Sequence, residues 1–191
     1  ETVESWVQTN IYKTYEIIDE TFEEGMVMRA WPSDILIAKS TESASERAAE
    51  IFVCTGLKAA ATRGAYAVAL SGGSTPRRMF ELLASSELAV LVPWAKTHIF
   101  FVDERYVPHD HPDSNYRQAH DLLLSRVPIP PANVHRFKTE LPADEAAATY
   151  EDDLRKTLGP EPVFDLLILG MGADFHTASL FPNAPALLNP D

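Results

Sequence analysis

Asp174 and His176 stand two residues apart, just after an apolar run that reads as a buried strand. A carboxylate that orients one imidazole nitrogen leaves the other free to act as a base, an arrangement suited to acyl transfer or hydrolysis. No Gly-x-Ser-x-Gly elbow occurs in the sequence, so water fits the role of nucleophile better than serine. A second stretch, Ser71-Gly72-Gly73-Ser74-Thr75-Pro76, joins two glycines and three hydroxyls to a helix start. Such a turn is an anion cradle, or a capped strand-to-helix connection with no ligand. It lacks the Gly-Lys-Ser/Thr ending of a nucleotide P-loop. Arg105 directly follows a strand, beside Asp103 and Glu104. It either forks onto a phosphate or carboxylate, or pairs with its own neighbouring acids. His109, Asp110, His111 and Asp113 have a spacing that could suit a metal, and are read instead as a solvated loop. Gly170-Met171-Gly172 lacks the third glycine of a dinucleotide fingerprint. No metal and no cofactor are expected.

Short apolar strands that alternate with longer helical patterns position these loops. Strands are expected at 35–38, 66–70, 98–102, 134–137 and 164–169, and helices at 43–62, 77–84, 114–126 and 144–158. Strands that are apolar on both faces call for a Rossmann-like α/β fold. That is an open, mostly parallel sheet with helices on both sides. Ligands of such sheets bind outside the carboxyl ends of the strands, where the three polar loops begin.

The chain has 191 residues, 46% hydrophobic and 23% charged, as in one soluble globular domain. A net charge of −12 disfavours nucleic acid, while a local pocket can still oppose it for a small anion. The single cysteine excludes an intrachain disulfide and weakly favours a reducing, cytoplasmic setting. No apolar run is long enough to span a bilayer, so no membrane role is expected. Residues 1–25 carry Val3, Trp6, Val7, Ile11, Tyr15, Ile18 and Phe22 at helical spacing. They read as an N-terminal amphipathic helical extension ahead of an α/β domain over 26–191. That helix packs on the domain, mediates self-association, or joins a fused or upstream partner.

Taken together, the chain resembles the 6-phosphogluconolactonase family. The matching stretches are ALSGGSTP (69–76), FFVDERYVP (100–108), DSNY (113–116) and LGMGADFHTASLFP (169–182), in family order from about Met28 to Pro182. The resemblance implies a cytosolic, metal-free hydrolase that opens 6-phospho-D-glucono-1,5-lactone to 6-phosphogluconate. It implies that His176 activates the attacking water and that Asp174 is the acid of the same motif. It also implies that Gly72, Gly73, Ser74, Thr75, Asp103, Arg105 and Asn115 hold substrate oxygens. Backbone donors near Gly172 would stabilise the oxyanion. Glucosamine-6-phosphate deaminases share the fold. Their Asp-Glu-Tyr differs from Asp103-Glu104-Arg105, and the residues after their histidine differ from Thr177–Pro182. A non-catalytic sugar-phosphate binder is the other alternative.

Three departures from the family pattern stand out. Phe175 occupies a position where family members have glycine, so a left-handed backbone is expected there. Its ring is expected across the substrate space, lowering activity. Family chains continue for several tens of residues beyond the equivalent of Pro182, whereas this sequence stops at Asp191. Residues 1–25 have no recognised counterpart.

Overall fold

The computed structural model describes residues 27–30 and 33–188. The amphipathic pattern of residues 1–25, and any partner role resting on it, lies outside them. Strands β1 (Val27–Ala30) and β2 (Ser33–Leu36) pair antiparallel, with Met28 opposite Ile35. The expected parallel strand at 35–38 is therefore an arm of a hairpin separate from the main sheet. A link this short between two strands permits antiparallel pairing alone.

Helix α1 (Thr41–Thr62) starts two residues before its expected position because Ser40 and Ser43 form a capping box. There follow β3 (Tyr66–Leu70), α2 (Thr75–Leu83), β4 (Thr97–Phe101), α3 (Asn115–Leu122), α4 (Ala143–Leu158) and β5 (Leu166–Leu167). The three later strands form one parallel sheet in the order β4-β3-β5. Side chains alternate across it. Val68, Leu70, Ile99 and Phe101 join the core built with α1, α2 and α3. Ala69 and Phe100 face Tyr150 of α4 on the other side. This is the open α/β sheet with helices on both faces that the sequence predicts.

Phe52, Tyr66, Phe80 and Phe100 are wholly buried. Each of the three phenylalanines contributes about 1.5–3 kcal/mol by leaving water. The Tyr150 hydroxyl accepts from Phe101 N and donates to Phe101 O, both at 2.8 Å, which fixes α4 to the sheet.

Three elements are shorter than expected. α3 stops at Leu122, because Leu123 leaves helical geometry (φ −132°, ψ −66°) and enters the core with Leu124. The strand expected at 134–137 reduces to one parallel bridge between Val134 and Ile99. The run 164–169 pairs only at Leu166 and Leu167, with flanking bonds from Asp165 N to Ala67 O and Ile168 N to Ala69 O. This strand lies at the sheet edge among the described residues, and Leu167 and Leu169 are half exposed. No described helix is long and apolar enough to cross a membrane.

Candidate functional site

Because β3, β4 and β5 run parallel, their carboxyl ends lie together and the three polar loops converge there. Ser71 Oγ donates to Ile168 O at 2.8 Å, joining the first loop to the third. In the first loop, Gly73 N donates to Gln118 Oε1 at 3.0 Å and Gln118 Nε2 returns a bond to Gly73 O at 2.8 Å. Ser74, at the cap position of α2, makes no capping bond with its side chain. The positive end of α2 therefore faces the convergence point without a side-chain acceptor from its own cap.

The second loop is organised by Glu104. Its Oε1 accepts from Asn115 N at 2.7 Å and from Arg105 N at 2.8 Å. Its Oε2 accepts from Tyr116 N at 2.9 Å and Ser114 Oγ at 3.1 Å. A carboxylate at the N-terminus of α3 is favourably placed against the helix dipole. Ser114 itself caps the helix by accepting from Arg117 N at 3.1 Å. With Glu104 so engaged, the Arg105 guanidinium pairs with neither neighbouring acid. Among the described residues it donates to Asp113 O at 3.1 Å, and the residue lines the cleft.

The third loop is a tight turn, with Gly172 N donating to His176 O at 2.8 Å and Phe175 N to Gly172 O at 3.0 Å. His176 Nδ1 bonds Asp174 Oδ1 at 2.5 Å. With the proton on Nδ1, Nε2 carries a lone pair. The hydrogen bond from His176 holds the Asp174 carboxyl below the usual carboxylate range, keeping the orienting charge in place. Phe181 stacks on the imidazole at 4.4 Å.

These loops enclose a cleft of about 310 Å³. Gly72, Gly73, Ser74, Thr75, Asp103, Arg105, Asn115, Gly172 and His176 all line it, and Asp174 stands behind His176. An adjoining cleft of about 450 Å³ shares Gly73, Ser74, Arg105 and Asn115 and adds Arg77 and Arg117. The two linings also hold Asp103, Asp113 and Asp121, the last paired with Arg117, so their charges balance within a chain of net charge −12. A further cavity of about 630 Å³ opens at the amino ends of the strands beside the Arg63–Asp165 ion pair. None of the three loops reaches it.

Two expectations are corrected. Of the backbone donors expected near Gly172 for the oxyanion, the Gly172 N–H itself is engaged by His176 O. Phe175 does adopt a left-handed backbone (φ 68°), but its ring is 77% exposed and lines no part of the cleft. His176 turns into the cleft, and the residue before it points the other way. Phe175→Gly relieves about 1–2 kcal/mol of backbone strain. Added freedom of the unfolded chain offsets about 0.5–1 kcal/mol of that. Denaturant titration is expected to show a net gain of up to about 1.5 kcal/mol, with kcat/KM unchanged. Gln118, Ser179 and Phe181 carry no role in the sequence reading, and Glu104 enters it only as a neighbour of Arg105. Gln118 carries a local signal, lying four residues beyond the cap Ser114 on the helix that borders the first loop.

His111 accepts from Asp113 N, and His109 lies 6.2 Å from the Tyr116 ring. Among the described residues, no three His, Cys, Asp or Glu side chains gather as metal ligands do.

A profile of the family described as glucosamine-6-phosphate isomerases/6-phosphogluconolactonase matches residues 39–191. The chain belongs to that family. The match includes all three loops of the cleft. The 6-phosphogluconolactonase of Synechocystis sp. is 46% identical over 159 residues, covering 81% of this chain and 64% of that protein. The chloroplastic 6-phosphogluconolactonase 3 of Arabidopsis thaliana is 45% identical over 130 residues, 63% of this chain and 40% of the relative. The human GDH/6PGL endoplasmic bifunctional protein is 34% identical over 183 residues, 92% of this chain and 21% of that protein. That alignment reaches into residues 1–25. The chain thus spans less than two thirds of each of these relatives. Among solved structures, the 6-phosphogluconolactonase of Thermotoga maritima matches with TM-score 0.65 and 38% identity, covering 72% of this chain and 60% of that one. The Trypanosoma brucei enzyme matches with TM-score 0.69 and 31% identity, covering 77% and 62%. The glucosamine-6-phosphate isomerase/6-phosphogluconolactonase family therefore accounts for the sheet and for the loops at its carboxyl edge.

Proposed function

We propose that the cleft hydrolyses 6-phospho-D-glucono-1,5-lactone to 6-phospho-D-gluconate. The observation that carries this reading is the Asp174–His176 pair, joined at 2.5 Å, with the imidazole facing Arg105 and the Gly72–Thr75 turn. His176 Nε2 takes a proton from water as the water oxygen attacks the lactone carbonyl, and Asp174 holds the Nδ1–H. The tetrahedral intermediate then collapses. The ring oxygen leaves with the proton returned by His176, and the product carboxylic acid ionises. Arg105 and the amino end of α2 hold the phosphate, a pairing that suits a guanidinium fork and a helix N-terminus. A cytosolic setting goes with this reading, supported by the lone, unpaired Cys54. The Arabidopsis relative, by its name, works in the chloroplast.

Acid release from freshly made lactone, corrected for spontaneous opening, tests the proposal. A rate no greater than the spontaneous one overturns it. Ammonia release from glucosamine-6-phosphate selects the deaminase chemistry that the same family contains. Calorimetric binding of 6-phosphogluconate without turnover selects a sugar-phosphate binder. Arg105→Ala is expected to raise KM for the phosphorylated lactone at least tenfold, and much less for the unphosphorylated one. Equal effects on both substrates would make Arg105 structural. Arg105→Lys is expected to rescue only in part, since an ammonium does not reproduce a two-pronged contact.

A further inference from the structure

Asp103 and Ser179 lie 76 residues apart in sequence, yet Ser179 Oγ donates to Asp103 Oδ2 at 2.5 Å. The other carboxylate oxygen, Oδ1, accepts from Asn115 Nδ2 at 3.1 Å, and Asp103 O accepts from the same amide at 3.0 Å. Asn115 is buried and its side chain lies against the Cα of Gly72. The second and third loops therefore meet at one carboxylate, both of whose oxygens are engaged by protein donors, and the first loop packs against the Asn115 side chain that this carboxylate holds. The third loop needs such an anchor. Phe175, Ala178 and Ser179 all have positive φ, at 68°, 50° and 61°. Non-glycine residues stay in that region only where surrounding contacts hold them. Two side-chain contacts do so here: Ser179 to Asp103, and Thr177 Oγ1 to Gly170 O at 2.8 Å.

We propose that Asp103 is a positioning residue that ties Ser179 and Asn115 together, and so sets His176 against the phosphate-binding turn. It acts through those side chains and neither transfers a proton nor holds the substrate. The inference rests on the lactonase reading and replaces the substrate-binding role that the sequence suggests for Asp103.

Three single variants, one double variant and two readouts, kinetic and by hydrogen exchange, test it. Asp103→Ala loses both contacts and is expected to lower kcat by up to about 10²-fold, with a smaller change in KM. Asp103→Asn is expected to recover most of that loss. Its carbonyl still accepts from Asn115, while its amide donates to Ser179 in the reversed sense, and the pH–rate profile stays that of the parent. Ser179→Ala reproduces much of the Asp103→Ala defect, and combining the two adds little, as coupled sites require. If Asp103→Asn is as slow as Asp103→Ala, the charge itself takes part and the proposal falls. Amide hydrogen exchange over residues 170–180 needs no substrate. It is expected to quicken in Asp103→Ala and Ser179→Ala, and to stay at the parent rate in Asp103→Asn. Unchanged exchange in both alanine variants overturns the clamp even if the parent opens no lactone, an outcome that would sink the lactonase reading separately. Should Asp103→Ala not fold, Ser179→Ala carries the test, since it removes one hydroxyl from an exposed position.

Discussion

On the proposed lactonase reading, His176→Ala is expected to lower the turnover of 6-phosphogluconolactone by about 10²–10⁴-fold, the range for loss of a positioned general base. The side chain is only 33% exposed, but its contacts are those of a tool rather than of a core. Asp174 holds one nitrogen and Phe181 covers one face. Its loss should therefore leave the thermal unfolding midpoint within a few degrees of the parent. Parallel assays of both proteins, with the uncatalysed rate subtracted, give the ratio directly. Indistinguishable rates would remove histidine from the mechanism.

Gly172→Ala is expected to be nearly as damaging, although residue 172 touches no substrate in the scheme. A methyl group there would overlap Cε1 and Nδ1 of His176 and come within 2.6 Å of Asp174 Oδ1. The backbone cannot yield easily, because the residue closes its turn through Gly172 N to His176 O. The imidazole must rotate away, and displacement of a reacting group by about 1 Å costs up to about 10²-fold in rate. The defect should appear in kcat far more than in KM, with circular dichroism unchanged. An alanine variant of parental kcat would show that the close approach is incidental.

Much of the architecture is legible from local pattern. Tyr66–Leu70 is apolar throughout and Ile99–Phe101 forms an apolar run, because both are buried between helices, and they read as strands at once. The same signal misleads at 164–169. That run is apolar enough for a central strand, yet it has a partner on one side only among the described residues. The loops of the site are legible for a topological reason, since a parallel sheet fixes which strand ends meet. Their internal wiring is not. Gln118 to Gly73, Ser179 to Asp103 and Glu104 to the start of α3 join residues 45, 76 and 11 apart, and no periodicity announces such contacts. Phe175 shows how a sound local inference can mislead about direction. Its unusual backbone follows from the glycine it replaces, whereas the outward turn of its ring depends on the side of the turn taken by His176.

The position of β3 between β4 and β5 bears on when this protein becomes competent during its own synthesis. Every fully enclosed member of the main core comes from residues 49–129. The β3–β4 pair and its helices can consolidate on that stretch alone, as chains emerging from the ribosome tend to do from the amino end. Pairing of Val68 with Leu166 must wait until nearly a hundred further residues have been made, and the imidazole arrives after that. The main core can thus gather before the third loop of the cleft exists, while Ala69 and Phe100 wait for Tyr150 of α4 to cover their face of the sheet. A lesion confined to residues 170–180 would leave a body with an intact core that cellular proteolysis has little reason to remove, and the damage would register as lost flux rather than lost protein.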